Sequence, residues 1–230
     1  MNNVSRPCDT HPDIVRFNYP LPRLKVALQQ QRNIKIVAIG SSSTAGVDPV
    51  LPFPPRLEML LRQKYPGRMI DLVNRGISGQ EAPDELLRFQ SDVFDEKPVL
   101  VIWQVGTNAI YHDLNRADVA AAIELGLQWR FGYEADVVLM DLQYTQAMVD
   151  KLAASEDMVS RISAAADKAK VNVFRRFALM RRWVDDKVVG IPDLEDGAES
   201  HLHTGEWATN CITKAFGDAI ASAVAADGTT

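Results

Sequence analysis

The chain has 230 residues, with 25 basic and 30 acidic side chains, a formal net charge of −5, and 47% hydrophobic against 24% charged residues. That is ordinary globular composition, long enough to bury one core without disulfides or a structural metal. No apolar run approaches the roughly 18 to 20 residues that span a bilayer, and no dense Lys/Arg cluster marks a nucleic-acid surface, so integral membrane proteins and nucleic-acid binders are excluded.

The N-terminal segment MNNVSRPCDTHPDIV lacks the basic and apolar stretches of a signal peptide. A cytoplasmic chain and the mature form of a periplasmic or secreted one both remain open. Cys8 and Cys211 are too few for a four-thiolate zinc site. They fit a disulfide tying the N-terminal arm to the last helix, or two free thiols.

After a proline-punctuated arm, IKIVAIG (34–40) is a continuous β-branched run of the kind buried on both faces of a sheet. Leu57, Leu60, Leu61 and Tyr65 then recur at helical spacing, opened by Pro54 and Pro55 and stopped by Pro66 and Gly67. The alternation continues with a strand over 69–73, a helix over 83–94 carrying Leu86, Phe89 and Val93, and a strand over 99–105 that buries Trp103. A helix carries Val119, Ile123 and Leu127, a strand runs over 137–140, a helix carries Met158 and Ile162, and a short strand runs over 171–174. Arg175, Arg176, Arg181 and Arg182 read as one solvated helix face. The last helix begins near Gly205 and buries Trp207, Cys211, Phe216, Ile220 and Val224. Alternating strands and helices predict a parallel sheet with right-handed helical crossovers on both faces. The expected organisation is an N-terminal arm over 1–32 packing on a single α/β domain over 33–226.

Ligands of such sheets sit beyond the carboxyl ends of the strands, so the loops GSSSTAG (40–46), NRGISG (74–79) and GTN (106–108) are the ones to read. The first fits a phosphate cradle, a serine nucleophile, or a flexible turn. A serine nucleophile needs a base and preorganised donors for an oxyanion. Gly79 and Asn108 can supply the donors, and His203, in ESHLHTGEWATNC, can supply the base.

These blocks resemble those of the SGNH, or GDSL-type, hydrolases. That family has a serine after the first strand, a glycine in its second block, an asparagine in its third and a histidine in its last, on a flavodoxin-like α/β/α sandwich. The resemblance implies a three-layer sandwich around a five-stranded parallel sheet. It puts the nucleophile at Ser42, with Ser41 and Ser43 as register alternatives, and the oxyanion hole at Ser42, Gly79 and Asn108. His203 becomes the base, with His201 as the second register, and Gly76 serves the turn. The run GSSSTAG, NRG, EAPD and KPVLVIWQVGTNA is most similar to a bacterial GSSST-containing branch, whose members often carry export signals.

Two positions depart from the family pattern. Ser41 replaces the family's Asp beside the nucleophile. Ser200 stands where the pattern Asp-x-x-His requires the acid that orients the imidazole. Asp196, Glu199 or a backbone carbonyl are then the candidate orienters, whereas Asp193 and Glu195 read as ordinary loop acids.

The sequence therefore predicts a serine ester hydrolase acting on small-acyl esters, including acetylated carbohydrate. Its rivals are a catalytically weakened ester- or carbohydrate-binding protein, motivated by Ser200, and a flavin- or phosphate-binding sheet. No cofactor and no metal are expected, since His201 and His203 lack the partners of a metal motif. Tyr111, Tyr144 and Trp207 are candidate pocket walls as well as packing residues. The natural substrate and oligomeric state are not encoded legibly.

Overall fold

The structure, a computed structural model, describes residues 6–129 and 134–226. Two helices opened by prolines, α1 (Pro12–Val15) and α2 (Pro22–Gln30), precede the first strand; proline fits a helix start because its missing N–H has no partner there. The apolar run then forms β1 (Asn33–Gly40), buried from Ile36 to Gly40. It lies between β2 (Met69–Gly76) and β3 (Leu100–Gln104), followed by β4 (Asp136–Met140) and β5 (Asn172–Phe174). All neighbours in the order β2-β1-β3-β4-β5 are parallel. This is the predicted five-stranded flavodoxin-like sheet.

A single turn, α3 (Ser42–Ala45), and α4 (Phe53–Lys64) connect β1 to β2. The next crossover contains α5 (Ala82–Leu86), and β3 is followed by α6 (Thr107–Tyr111) and α7 (Arg116–Trp129). Then come α8 (Gln146–Val149) and α9 (Leu152–Ala169), and after β5 the helices α10 (Arg176–Asp185), α11 (Ile191–Leu194) and α12 (Glu206–Ala225). α4 packs on α12, and α7 on α5 and α9. Phe216 of α12 gathers Phe17, Phe53 and Phe174 around it, the last at a ring separation of 4.6 Å. Phe17 thereby joins the arm to the core, and Cys8 is bonded to Cys211, their Cα atoms 5.6 Å apart.

Three expectations need correction. The helix expected over 83–94 stops at Leu86 and resumes as a π-turn over Gln90–Phe94. That wider turn brings positions five apart onto nearly one face, so Phe89 packs on Trp103 and Phe94 on Trp129. The basic group of α10 is not uniformly solvated, because Arg176 is buried. Gly76 is more than a turn residue: a Cβ there would lie 2.1 Å from the backbone nitrogen of Ala45.

The strand order reverses between β1 and β3, and open α/β sheets bind ligands at the carboxyl end of such a switch point. The loops carrying Ser42 and Asn108 leave the sheet there. Because Gly76 abuts α3 directly, Gly76→Ala must displace the segment that carries Ser42. Chemical denaturation should show a loss of about 1–3 kcal/mol or more; unchanged stability would mean that the approach is not tight.

Candidate active site

The three consecutive serines after β1 have three different partners. Ser41 Oγ donates to Gln104 Oε1 at 2.9 Å, and Ser43 Oγ donates to Gln143 Oε1 at 3.1 Å. Ser42 Oγ lies 3.0 Å from His203 Nε2. Ser42 is thus the serine that faces an imidazole, and its neighbours are committed to holding the turn.

The holding groups are two buried glutamines that the sequence reading did not single out. Gln104, at the end of β3, accepts through Oε1 from the Ser41 backbone N–H, the Ser41 hydroxyl and the Thr44 hydroxyl. Gln143, just beyond β4, accepts from the hydroxyls of Ser43 and Thr107 and donates through Nε2 to Leu202 O at 2.8 Å. One amide therefore joins the serine turn, the asparagine turn and the segment leading into His203. The available signal for Gln104 was a polar residue inside an apolar strand, which in a buried strand must find hydrogen-bond partners.

The asparagine turn is fixed by a buried carboxylate. Glu81 accepts the backbone N–H groups of Ala82, Gly106 and Ala109 at 2.8–3.0 Å, and the next residue back, Gln80, offers its carbonyl to Asn108 Nδ2 at 2.8 Å. That uses one of the two amide protons of Asn108 and leaves the other for a ligand. Burial raises Glu81 above the usual carboxylate range, while its backbone donors oppose the shift. One turn on, burial and then the Glu81 charge push Glu85 well above that range, and Trp103 Nε1 donates to it at 2.6 Å. Gly79 lies at φ 83°, a left-handed conformation that favours glycine.

His203 sits on one side of a narrow chain reversal. Glu195 and Thr204 form an antiparallel bridge, and the Asp196 N–H donates to the His203 carbonyl at 3.1 Å. Asp196 Oδ2 then lies 3.8 Å from His203 Nδ1, and the carboxylate is anchored by the Ala198 N–H on Oδ1 at 2.9 Å. Of the candidate orienters, Asp196 comes to the imidazole, whereas no hydrogen bond or ion pair joins Ser200 or Glu199 to it among the described residues. The reversal turns at Gly197, which has φ 83°. Gly205 closes its base, since a Cβ there would lie 2.4 Å from Glu195 O. Asp-Gly is a turn signal, and it was the sequence's pointer to a seven-residue separation closing in space.

His201 points elsewhere, to Glu195 Oε2 at 2.8 Å, and stays exposed. Glu195 is not an ordinary loop acid: its side chain is 3% exposed and its Oε1 accepts the Gln146 N–H at 2.6 Å. Tyr144 packs on Phe177 and Trp207 on Trp183, so both serve packing. No group of His, Cys, Asp and Glu among the described residues could hold a metal ion.

Ser42 and His203 line a narrow cleft of about 30 Å³ with Ser43, Val47, Phe53, Arg176 and Ile212. Larger hollows, of about 500 Å³ beneath the arm and about 710 Å³ beside Leu87 and Trp129, include none of these residues. The chemistry-bearing groups are in the small cleft, so that is the candidate site. Burial lowers the His203 pKa from its usual 6.5, with the Asp196 charge opposing the shift. Ser42 and His203 are placed for proton transfer between a hydroxyl and an imidazole, whereas Gly79 and Asn108 are not among the residues lining this cleft.

The sequence model of the Non-GDSL lipase-like family matches residues 7–226. An uncharacterized lipoprotein of Bacillus subtilis (strain 168) is 37% identical over 76 residues, 32% of this chain and 31% of that protein. The match thus spans about a third of that relative's length. Among solved structures, a catalytic mutant of an acetylxylan esterase from Geobacillus stearothermophilus superposes with a TM-score of 0.71 at 18% identity, over 81% of this chain and 94% of that one. Catalytic mutants of that enzyme replace a serine, an aspartate or a histidine by alanine. An alpha/beta hydrolase enzyme from the metagenome of Lake Arreo, Spain, gives 0.67 at 20% identity, over 82% and 95%. These likenesses establish a shared fold.

The imidazole environment makes a prediction independent of any reaction. In an NMR titration, His203 should titrate below 6.5. Asp196→Asn, which removes the charge that favours the imidazolium, should move it lower still. A midpoint at or above 6.5, or an upward shift in the variant, would contradict the assigned burial and pairing.

Proposed function

Proceeding from the fact that the chain belongs to the Non-GDSL lipase-like family, we propose that it is a serine ester hydrolase of the SGNH type acting on small-acyl esters, acetylated carbohydrate among them. The observation that carries this reading is the 3.0 Å contact between Ser42 Oγ and His203 Nε2, because a serine hydroxyl becomes a nucleophile when a neighbouring base takes its proton.

Ser42 Oγ attacks the ester carbonyl carbon while His203 Nε2 accepts its proton. The charge that develops on the carbonyl oxygen is met by the backbone N–H groups of Ser42 and Gly79 and by the uncommitted amide proton of Asn108. His203 then returns the proton to the departing alcohol oxygen as the tetrahedral adduct collapses, leaving an acyl ester on Ser42. A water, deprotonated by the same imidazole, attacks that ester, and the imidazolium returns the proton to Ser42 Oγ as its bond to the acyl carbon breaks and the carboxylic acid leaves. Asp196 holds the ring through Nδ1 and stabilises the imidazolium; their 3.8 Å separation is of the kind that tightens when substrate binds.

Asp196 takes the place that Ser200 leaves empty in the family's Asp-x-x-His pattern, and this argues against the weakened binding protein. A phosphate- or flavin-binding loop would give the Ser42–His203 contact no purpose. The narrow cleft and the acetylxylan esterase among the structural neighbours support short acyl groups, and the sequence similarity of GSSSTAG supports the GSSST-containing branch. The Cys8–Cys211 bond favours an oxidising compartment.

Purified protein should hydrolyse p-nitrophenyl acetate and butyrate, and Ser42→Ala and His203→Ala should each lower kcat by about 10³-fold or more. Asn108→Ala should lower kcat by about 10²- to 10³-fold with little change in KM, the signature of a lost oxyanion donor. Wild-type turnover no faster than that of the Ser42 variant would overturn the assignment. In an acyl-chain series, activity confined to long chains would overturn the small-acyl preference.

A further inference from the structure

Arg176 opens α10 and is only 2% exposed, yet it lines the same cleft as Ser42 and His203. Its Nε and Nη2 donate to the main-chain oxygen of Asp141 at 3.0 and 2.7 Å. A guanidinium has five N–H donors, so those two bonds leave the Nη1 edge uncommitted. Among the described residues no carboxylate oxygen lies within 4.0 Å of the group.

The Asp141 carboxylate does not complete the pair. Its Oδ1 accepts the Phe177 N–H at 3.0 Å, while its Oδ2 is buried with no hydrogen-bond partner. Burial pushes Asp141 up to about 7, against the opposing pull of the Phe177 N–H and the Arg176 charge. Burial lowers Arg176 to about 10, so it remains a cation at neutral pH beside a carboxylate that is only partly ionised. A buried charge is tolerated when it is paired and hydrogen-bonded. Here the cation has backbone bonds on one edge, no carboxylate on the other among the described residues, and belongs to a residue that lines the cleft.

The remaining walls sharpen the chemistry. Val47, Val50, Pro52, Phe53 and Ile212 are apolar, and Thr209 adds a hydroxyl. A planar fork of donors within apolar walls binds a carboxylate more strongly than the same fork in water would. The confined space suits the smaller half of an ester, its acyl group, while the alcohol departs towards solvent.

We propose that Arg176 receives a terminal carboxylate on the acyl group, so that the preferred substrates are short half-esters of dicarboxylic acids of the malonyl or succinyl type. This rests on the serine ester hydrolase reading and deepens it, making Arg176 a specificity residue rather than a participant in bond breaking.

The test compares monoethyl succinate with its neutral counterpart ethyl butyrate by pH-stat, in the wild type, Arg176→Gln and Arg176→Lys. The expected wild-type kcat/KM ratio favours the half-ester by about tenfold or more. Arg176→Gln should bring that ratio to about one, and Arg176→Lys, which keeps the charge without the fork, should leave it in between. No wild-type preference for the half-ester, or a ratio unchanged in either variant, would overturn the proposal. If neither ester is hydrolysed, calorimetric titration with succinate decides the subsite separately from the hydrolase reading, which the p-nitrophenyl esters test. Binding by the wild type that weakens at least tenfold in Arg176→Lys would uphold it, and no binding or equal binding would overturn it. The lysine variant retains a cation at the site, so the comparison survives if the glutamine variant does not fold.

Discussion

Everything proposed for the cleft depends on the side-chain amide of Gln143, which is buried at the carboxyl edge of the sheet. Its oxygen holds Ser43 and Thr107 while its nitrogen holds the Leu202 carbonyl, and these belong to three segments that are far apart in the chain. Gln104 does the same locally for Ser41 and Thr44. Buried polar groups stripped of such partners are costly, so the amides leave the loops little freedom to part. The 3.0 Å approach of Ser42 to His203 is a consequence of that restraint, because neither residue is held by the sheet itself.

The second level of control is electrostatic. Glu81 and Glu85 are acids placed where water cannot reach them. Glu81 is tolerated because three backbone N–H groups converge on it, and its position fixes the turn that presents Asn108. Glu85 is pushed well above the usual carboxylate range by burial and by the Glu81 charge, and the Trp103 indole N–H donates to it. The imidazole is likewise tuned by its surroundings, with burial favouring its neutral form and the Asp196 charge opposing that. A neutral imidazole at working pH is what a general base requires.

The fold was legible because its signals are local and repeated. IKIVAIG is apolar without interruption and becomes β1, and the alternation of such runs with helical periodicity leaves few topologies other than a parallel sheet. The pairing of Ser42 with His203, 161 residues apart in the chain and 3.0 Å apart in space, was legible through the order of the blocks, although no single block carried the argument. The π-turn at Gln90–Phe94 was not legible, since Leu86, Phe89 and Val93 fit an uninterrupted helix equally well. The structural roles of Gln143 and Arg176 were invisible for a different reason. A glutamine in a loop and an arginine at a helix start are normally solvated, and only the tertiary arrangement shows them buried. The approach of Asp196 to His203 lay between these cases, with the Asp-Gly turn marking a reversal but not which acid it would deliver.

The central claim is that Ser42 is a nucleophile activated by His203, and covalent trapping tests it most directly. Wild-type protein would be treated with an alkyl fluorophosphonate and its peptides mapped by mass spectrometry. The account predicts a single stoichiometric adduct on Ser42, absent in Ser42→Ala and strongly slowed in His203→Ala. An adduct on Ser41, Ser43 or another residue, or equal labelling of the wild type and the histidine variant, would contradict it.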